Sequence, residues 1–300
     1  GEVSLPAIPR HTARPHRLTR MKLLHVPEAM LYRSEPPPYM FGNPQNEASA
    51  SWTNANWLKS RFHFSFAEYR NPKNTQFGCL RVLNDDLVQA RRGFGRHPHR
   101  DMEIVTYVVD GVLTHADSMG TDEALGRGSV QFMTAGTGVQ HEEHNKEAEP
   151  LRFIQIWIQP RSYGLTPNYG SYDGTTKDAQ AARKNRLLQL VGDAKQAAHA
   201  DVPVRIQQDC SMFVSEMDPN TTLEFTLKAG RQVYLVCVEG TLTLAGEVTQ
   251  TKLERHDAAE IREQGKLRLS SGETPTHLLL LEMAEGPGGR GDGKWPLHLG

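Results

Sequence analysis

The sequence predicts an all-β protein built as two small barrels in tandem. Short apolar segments alternate with Gly, Asp and Asn turns over most of the chain, a spacing typical of sandwiches and barrels. A weak internal repeat is present. The run Val105 to Thr114 (VTYVVDGVLT) resembles Tyr234 to Thr243 (YLVCVEGTLT), and laying Gly111 on Gly240 gives an offset of 129, about the length of one small barrel. Chemistry-bearing side chains cluster in the first copy alone. His97 and His99 form one pair spaced i, i+2, and His141 and Glu143 form another. On a strand, alternate side chains share a face, so each pair can aim two ligands at one point.

Taken in order, residues 1–50 read as a basic, Pro-rich extension outside the core. No acidic residue occurs from Val3 to Pro27, whereas Arg10, Arg14, Arg17, Arg20 and Lys22 are basic. Prolines, including Pro36 to Pro38, argue against a long helix. Such a segment is expected to be either a targeting peptide or an arm that touches another protein. The first barrel is assigned to 51–160. Phe62, Phe64 and Phe66 alternate as a half-buried strand, followed by strands over Phe77 to Val82, Glu103 to Val109, Gly111 to His115, Ser129 to Met133 and Leu151 to Ile158. In the last of these, Phe153, Gln155 and Trp157 fall on one face and Ile154, Ile156 and Ile158 on the other. Residues 161–200 read as a connecting segment with a short helix over Asp178 to Arg186 and a strand over Arg186 to Val191. A second barrel, 201–285, takes strands at Val204 to Gln207, Ser211 to Met217, Leu223 to Leu227, Val233 to Val238 and His277 to Met283. A flexible Gly-rich tail, 286–300, closes the chain.

Composition excludes several classes. At 38% hydrophobic and 23% charged the chain is globular, and a net charge of −1 offers no footprint for nucleic acid. Apolar runs such as Leu278 to Leu281 are far too short to cross a bilayer. Cys79, Cys210 and Cys237 stand far apart with no Cys-x-x-Cys, which argues against a disulfide framework or a zinc cluster and for a reducing, intracellular compartment.

Imidazole and carboxylate together suit iron, nickel, manganese, copper or zinc. On an octahedral metal, four such ligands leave two positions open for chemistry. A closed tetrahedral zinc site is the structural alternative. Glu103, four residues past His99, could back the ligands or become a fifth, and His115 could also face the interior. His144 has the wrong parity to join His141 and Glu143.

In the frame of the repeat, the ligand positions fall on Thr226, Lys228, Ser270 and Gly272, so the second barrel is expected to bind no metal. The run Gly95-x-His97-x-His99-x-x-x-Glu103, followed by Gly138-x-x-His141 and Asn145, resembles the two cupin motifs. With Phe94 to Val108, Met133 to Glu143, Arg81 to Asp86 and Gln155 to Ile158, it is similar to the pirin family, above all to the bacterial pirin-like quercetinases. The similarity spans roughly 53–285. It implies a bicupin of two jelly-roll barrels with one divalent metal, iron(II) first, held in the N-terminal barrel by His97, His99, His141 and Glu143. Glu142 and His144 vary among relatives and could retune the pocket mouth.

The activity implied is a metal-dependent dioxygenase acting on a flavonol such as quercetin, with Glu143 as ligand or general base for the 3-hydroxyl and dioxygen as co-substrate. Ring opening would release carbon monoxide and a depside. The alternative is a non-catalytic regulatory or redox-sensing protein of the pirin type, or a structural subunit held in an organellar assembly through its arm. The address is then cytoplasmic, mitochondrial or plastid, or nuclear by pirin analogy.

Overall fold

Residues rich in Val, Ile, Leu and aromatics at alternating phase form strands, and Gly, Asn and Asp break them. The computed structural model describes residues 21–41, 43 and 57–286. Arg10, Arg14, Arg17, Arg20 and most of the Gly-rich tail lie outside this range. The first half contains β1 (Lys22–Val26), β2 (Tyr32–Ser34), β3 (Leu58–Phe62), β4 (Leu80–Val88), β5 (Gly93–His99) and β6 (Glu103–Asp110). It continues with β7 (Leu113–Asp117), β8 (Asp122–Leu125), β9 (Val130–Thr134), β10 (Val139–His144), β11 (Leu151–Ile158) and β12 (Asn168–Tyr172). After α1 (Lys177–Arg183) come β13 (Leu188–Asp193), β14 (Val204–Ile206), β15 (Cys210–Met217), β16 (Thr222–Leu227) and β17 (Arg231–Glu239). The rest are β18 (Leu242–Ala245), β19 (Gln250–Leu253), β20 (Ala258–Arg262), β21 (Gly265–Ser271) and β22 (Thr276–Ala284).

Each half is a jelly-roll pair of sheets rather than a continuous closed barrel. In the first half a seven-stranded sheet, β12-β9-β6-β11-β4-β3-β2, faces a four-stranded sheet, β5-β10-β7-β8. In the second half β1-β20-β17-β22-β15-β13-β14 faces β16-β21-β18-β19. The two large sheets pack against each other. Val105, Tyr107, Ile154 and Ile156 from one meet Val214, Tyr234, Val236 and Leu279 from the other in a single buried cluster. The isoleucine face of β11 therefore belongs to this seam, and its Phe153 face to the interior of the first half.

Two segments differ from expectation. Residues 22–34, read as an extension, supply edge strands. β2 pairs with β3, and β1 crosses to pair with β20 of the second half. Leu23 packs against the second core and Val26 is buried in the seam. Short and Pro-flanked, these strands lack an alternation strong enough to show in the sequence. The segment 161–200 also supplies sheet strands: β13, near the strand expected over Arg186 to Val191, pairs with β15, and β12, which was not expected, pairs with β9.

The repeat is physical. Gly111 and Gly240 both end the long central strand of their sheet with φ of +80° and +75°. A Cβ at Gly111 would sit 2.8 Å from the Pro150 carbonyl oxygen, and one at Gly240 2.3 Å from that of Pro275. Only glycine takes this turn without strain.

The seam also holds charge. Arg152 grips Asp85 through Nε at 2.8 Å and Nη2 at 2.7 Å, and His256 from the second half reaches the same carboxylate at 2.6 Å. Among the described residues, no helix is long and apolar enough to cross a membrane.

Candidate metal centre

Antiparallel pairing of β5 with β10 puts His97 opposite His141, and β5 ends at His99. Their strand phase turns all three rings into the space between the sheets. His141 Nε2 lies 2.9 Å from His99 Nε2 and 3.1 Å from His97 Nε2. His97 Nδ1–H donates to the Gly95 carbonyl at 2.7 Å, which leaves its Nε2 lone pair pointing at the other two rings. Burial pushes all three imidazoles down, and their mutual repulsion in the charged form adds to it for His99, which falls to about 3, and for His141. They are therefore neutral, the form that binds metal.

Three neutral imidazoles with converging lone pairs repel one another unless a cation or a shared proton lies between them. Nitrogens bound at about 2.1 Å lie about 3.0 Å apart at an octahedral right angle and about 3.4 Å apart in a tetrahedron. The observed 2.9 and 3.1 Å, both measured from His141, are close to the spacing of nitrogens that share one metal. The residues present thus suit a divalent metal.

Glu143 adjoins that triad through His141. It groups with His115 and His141 in a second set of possible ligands that overlaps the first at His141. The extra residue of the β10–β5 irregularity lies in β5, between Phe94 and His97, whereas β10 keeps regular register with β7, so His141 and Glu143 share one buried face. Its oxygens accept from Gln131 Nε2 at 2.7 Å, Thr106 Oγ1 at 3.2 Å and Gln155 Nε2 at 2.9 Å. Burial raises Glu143 to about 7, against the lowering effect of those three bonds. His115 is fully buried; its Nε2 meets Asp117 at 3.1 Å, and its Nδ1 finds no partner among the described residues.

Thr106, Gln131 and Gln155 were not singled out from the sequence as site residues. Each is a polar residue at a core-facing phase of a strand, and that was the available signal. Glu103 is turned the other way. The chain changes sheet between β5 and β6, so the i+4 argument fails, and Glu103 Oε2 accepts from Thr134 and from the Gln207 backbone N–H. Glu142 and His144 alternate away from the ligands along β10, and neither lines the cleft. Asn145 pins the loop that follows, donating to the carbonyls of Gln89 and Glu149.

Beside His99 opens a cleft of about 1,090 Å³, lined by Arg81, Met102, Val139, Trp157, Gln159 and Tyr163 among others. Trp157 stands edge-on to the His99 ring, centroids 4.9 Å apart at 84°.

Comparison with known proteins matches this architecture. The Pirin family model covers residues 45–158, and the quercetinase C-terminal cupin domain model covers 196–283. A putative quercetin 2,3-dioxygenase from Pseudomonas aeruginosa is 38% identical over 231 residues, which is 77% of this chain and 94% of that protein.

The chain belongs to the pirin family.

Quercetin 2,3-dioxygenase of Escherichia coli K12 is 38% identical over 66% of this chain and 81% of its own length. The crystal structure of the bacterial pirin YhhW from E. coli in complex with nickel(II) superposes with a TM-score of 0.71 at 27% identity. It covers 88% of this chain and all of that one. These relatives are bacterial and lend no support to an organellar or nuclear address.

Proposed function

We propose that this pirin is a metal-dependent dioxygenase of flavonols, with quercetin as its model substrate. The convergence of His97, His99 and His141, with Nε2 of His141 within 3.1 Å of the other two, carries the reading. It is supported by relatives named quercetin 2,3-dioxygenase and by the nickel(II) complex of YhhW. His97, His99 and His141 would hold the metal, iron(II) by family resemblance, with nickel an equally natural occupant of imidazole ligands. A bound metal supplies Lewis-acid polarisation of a substrate oxygen and electron exchange with dioxygen.

The chain's own groups do the rest. Trp157, Met102 and Val139 line the cleft with apolar surface suited to flat rings. Glu143, raised to about 7, is poised between its two forms near neutral pH and suits taking the proton of a flavonol 3-hydroxyl. Gln131, Thr106 and Gln155 fix the carboxylate in place so that it need not reorganise.

Oxygen uptake with quercetin by the iron-loaded protein tests the reading. His97→Ala is expected to lose both metal and uptake, and unchanged uptake in that variant would sink the proposal. Glu143→Gln separates two roles. Metal retained with uptake lost marks a proton acceptor, whereas metal lost marks a ligand.

A further inference from the structure

We infer that the cleft ends in an anion-binding subsite at Arg81, and that its preferred ligand is a planar aromatic carrying a negatively charged group. The inference rests on the reading that flat aromatic molecules enter this cleft.

The strand register makes the subsite. Along β4 and β11, Trp157 pairs with Val82 but Ile158 pairs with Leu80, so Arg81 is the extra residue of a β-bulge. A bulge bends its strand and re-aims the side chain it carries. Here it brings the guanidinium to the wall of the cleft beside Trp157 and His99.

The guanidinium is only half used. Nη1 donates to the carbonyls of Ser65 at 2.7 Å and Thr75 at 2.9 Å, both neutral acceptors. Among the described residues, Nε and Nη2 have no hydrogen-bond partner and Arg81 has no ion pair. Arg127, Arg152, Arg161, Arg183 and Arg231 each pair with a carboxylate. Burial lowers the pKa of Arg81, and no neighbouring charge opposes it. Asp101, the acidic residue on the cleft wall, is already engaged by Arg100 at 3.3 Å and by the Gly164 N–H at 2.7 Å.

A partly desolvated cation without a counter-charge is unfavourable by itself. Two backbone carbonyls fix its position while leaving the Nε–Nη2 edge open. That edge is the fork that binds two oxygens of a carboxylate or sulfonate at once. Gln159, two residues beyond Trp157 on the same phase, lies on the same wall and offers a further amide. Rings lying in the cleft against Trp157 and Met102 would then carry their anionic substituent to Arg81, which favours acidic polyphenols over neutral ones.

Calorimetric titration of the full-length, metal-loaded protein with quercetin and with its ring-sulfonated derivative tests this. The sulfonate is expected to bind on the order of tenfold more tightly at low salt, because a charge-assisted bidentate contact is added. Arg81→Gln should bring the two affinities together, and Arg81→Lys, which keeps the charge but loses the fork, should keep only part of the preference. An equal preference in wild type and Arg81→Gln, or no preference in wild type, overturns the subsite. If Arg81→Gln fails to fold, the wild-type preference must still shrink between 0.05 and 0.5 M salt, roughly as screening demands, or the subsite is rejected. Binding is read without turnover, so a protein that prefers the sulfonate yet consumes no oxygen refutes the dioxygenase reading while leaving the subsite standing.

Discussion

Across its small sheet, the first half of the molecule presents His97, His99 and His141 inward from β5 and β10. The second half has the same strand pair, β16 with β21, and fills the matching space with Leu223, Phe225, Leu227, Leu267 and Leu269. The jelly-roll frame is therefore indifferent to the ligands. Where stability alone decides, the interior closes with leucine. Where imidazoles are kept, buried atoms such as Nδ1 of His115 and His141 go without partners among the described residues. Polar groups left in that state destabilise a fold. The first interior accepts this cost, and the second shows what the frame does without it.

The sharpest way to break the contrast is to make the first half resemble the second. His141→Leu should take bound metal from about one per chain to none, read by elemental analysis, and abolish oxygen uptake. The metal-free variant should melt no lower than metal-free wild type, because an imidazole with an unpartnered nitrogen is exchanged for an apolar group.

Next in size is the seam that makes the halves one unit. Asp85→Ala strands Arg152 in the interior and should cost about 3–5 kcal/mol in denaturant titration. Burial by itself would raise Asp85, but the charge and hydrogen bonds of Arg152, with His256, outweigh it and hold the carboxyl well below its ordinary 3.8. A depressed carboxylate stabilises the fold above its unfolded value and loses that contribution as pH falls through the folded one. Wild type should therefore lose stability progressively below pH 3.8, and Asp85→Ala should lack that part of the acid dependence.

Leu269→Ala probes the second core. About 3 kcal/mol of stability should disappear with metal content unchanged, and a parallel loss of metal would show that the second interior supports the site.

The smallest and most symmetric test is Gly111→Ala beside Gly240→Ala. Each should cost about 1–3 kcal/mol, for positive φ and for the carbonyl its Cβ would strike. A large difference between them would deny that the two frames are equivalent.

Strand alternation and the glycine-anchored repeat made the all-β, two-part architecture legible, because both are local signals. The parity of His97, His99 and His141 was legible for the same reason. Other features were not. Extending the phase from His99 to Glu103 assumed one continuous strand, whereas the chain passes from the small sheet to the large one between them. The frame of the repeat put the lost ligands at Thr226 and Ser270, which lie outside the second core; a small change in loop length had inverted the parity. Glu143 was expected beside the three histidines. It shares the buried face of β10 with His141, as its parity predicts, and its hydrogen bonds to Gln131 and Gln155 come from the facing sheet, which no periodicity reveals.

The crossing of β1 into the far sheet also bears on how the molecule is made. Lys22 pairs with Arg262 and Val26 with Ala258, while His25 and the Glu28 backbone N–H both reach Asp257. During synthesis these residues emerge early, yet their partners leave the ribosome more than two hundred residues later. Until then the strand is an unpaired edge, the kind of surface through which nascent chains find wrong partners. Docking of β1 is among the most non-local steps available to this chain, and contacts of that span form slowly. Once made, it works as a latch, since pulling the halves apart would require peeling β1 from β20. A fragment cut near residue 45 to isolate either half would lose that latch and expose the flank of β20.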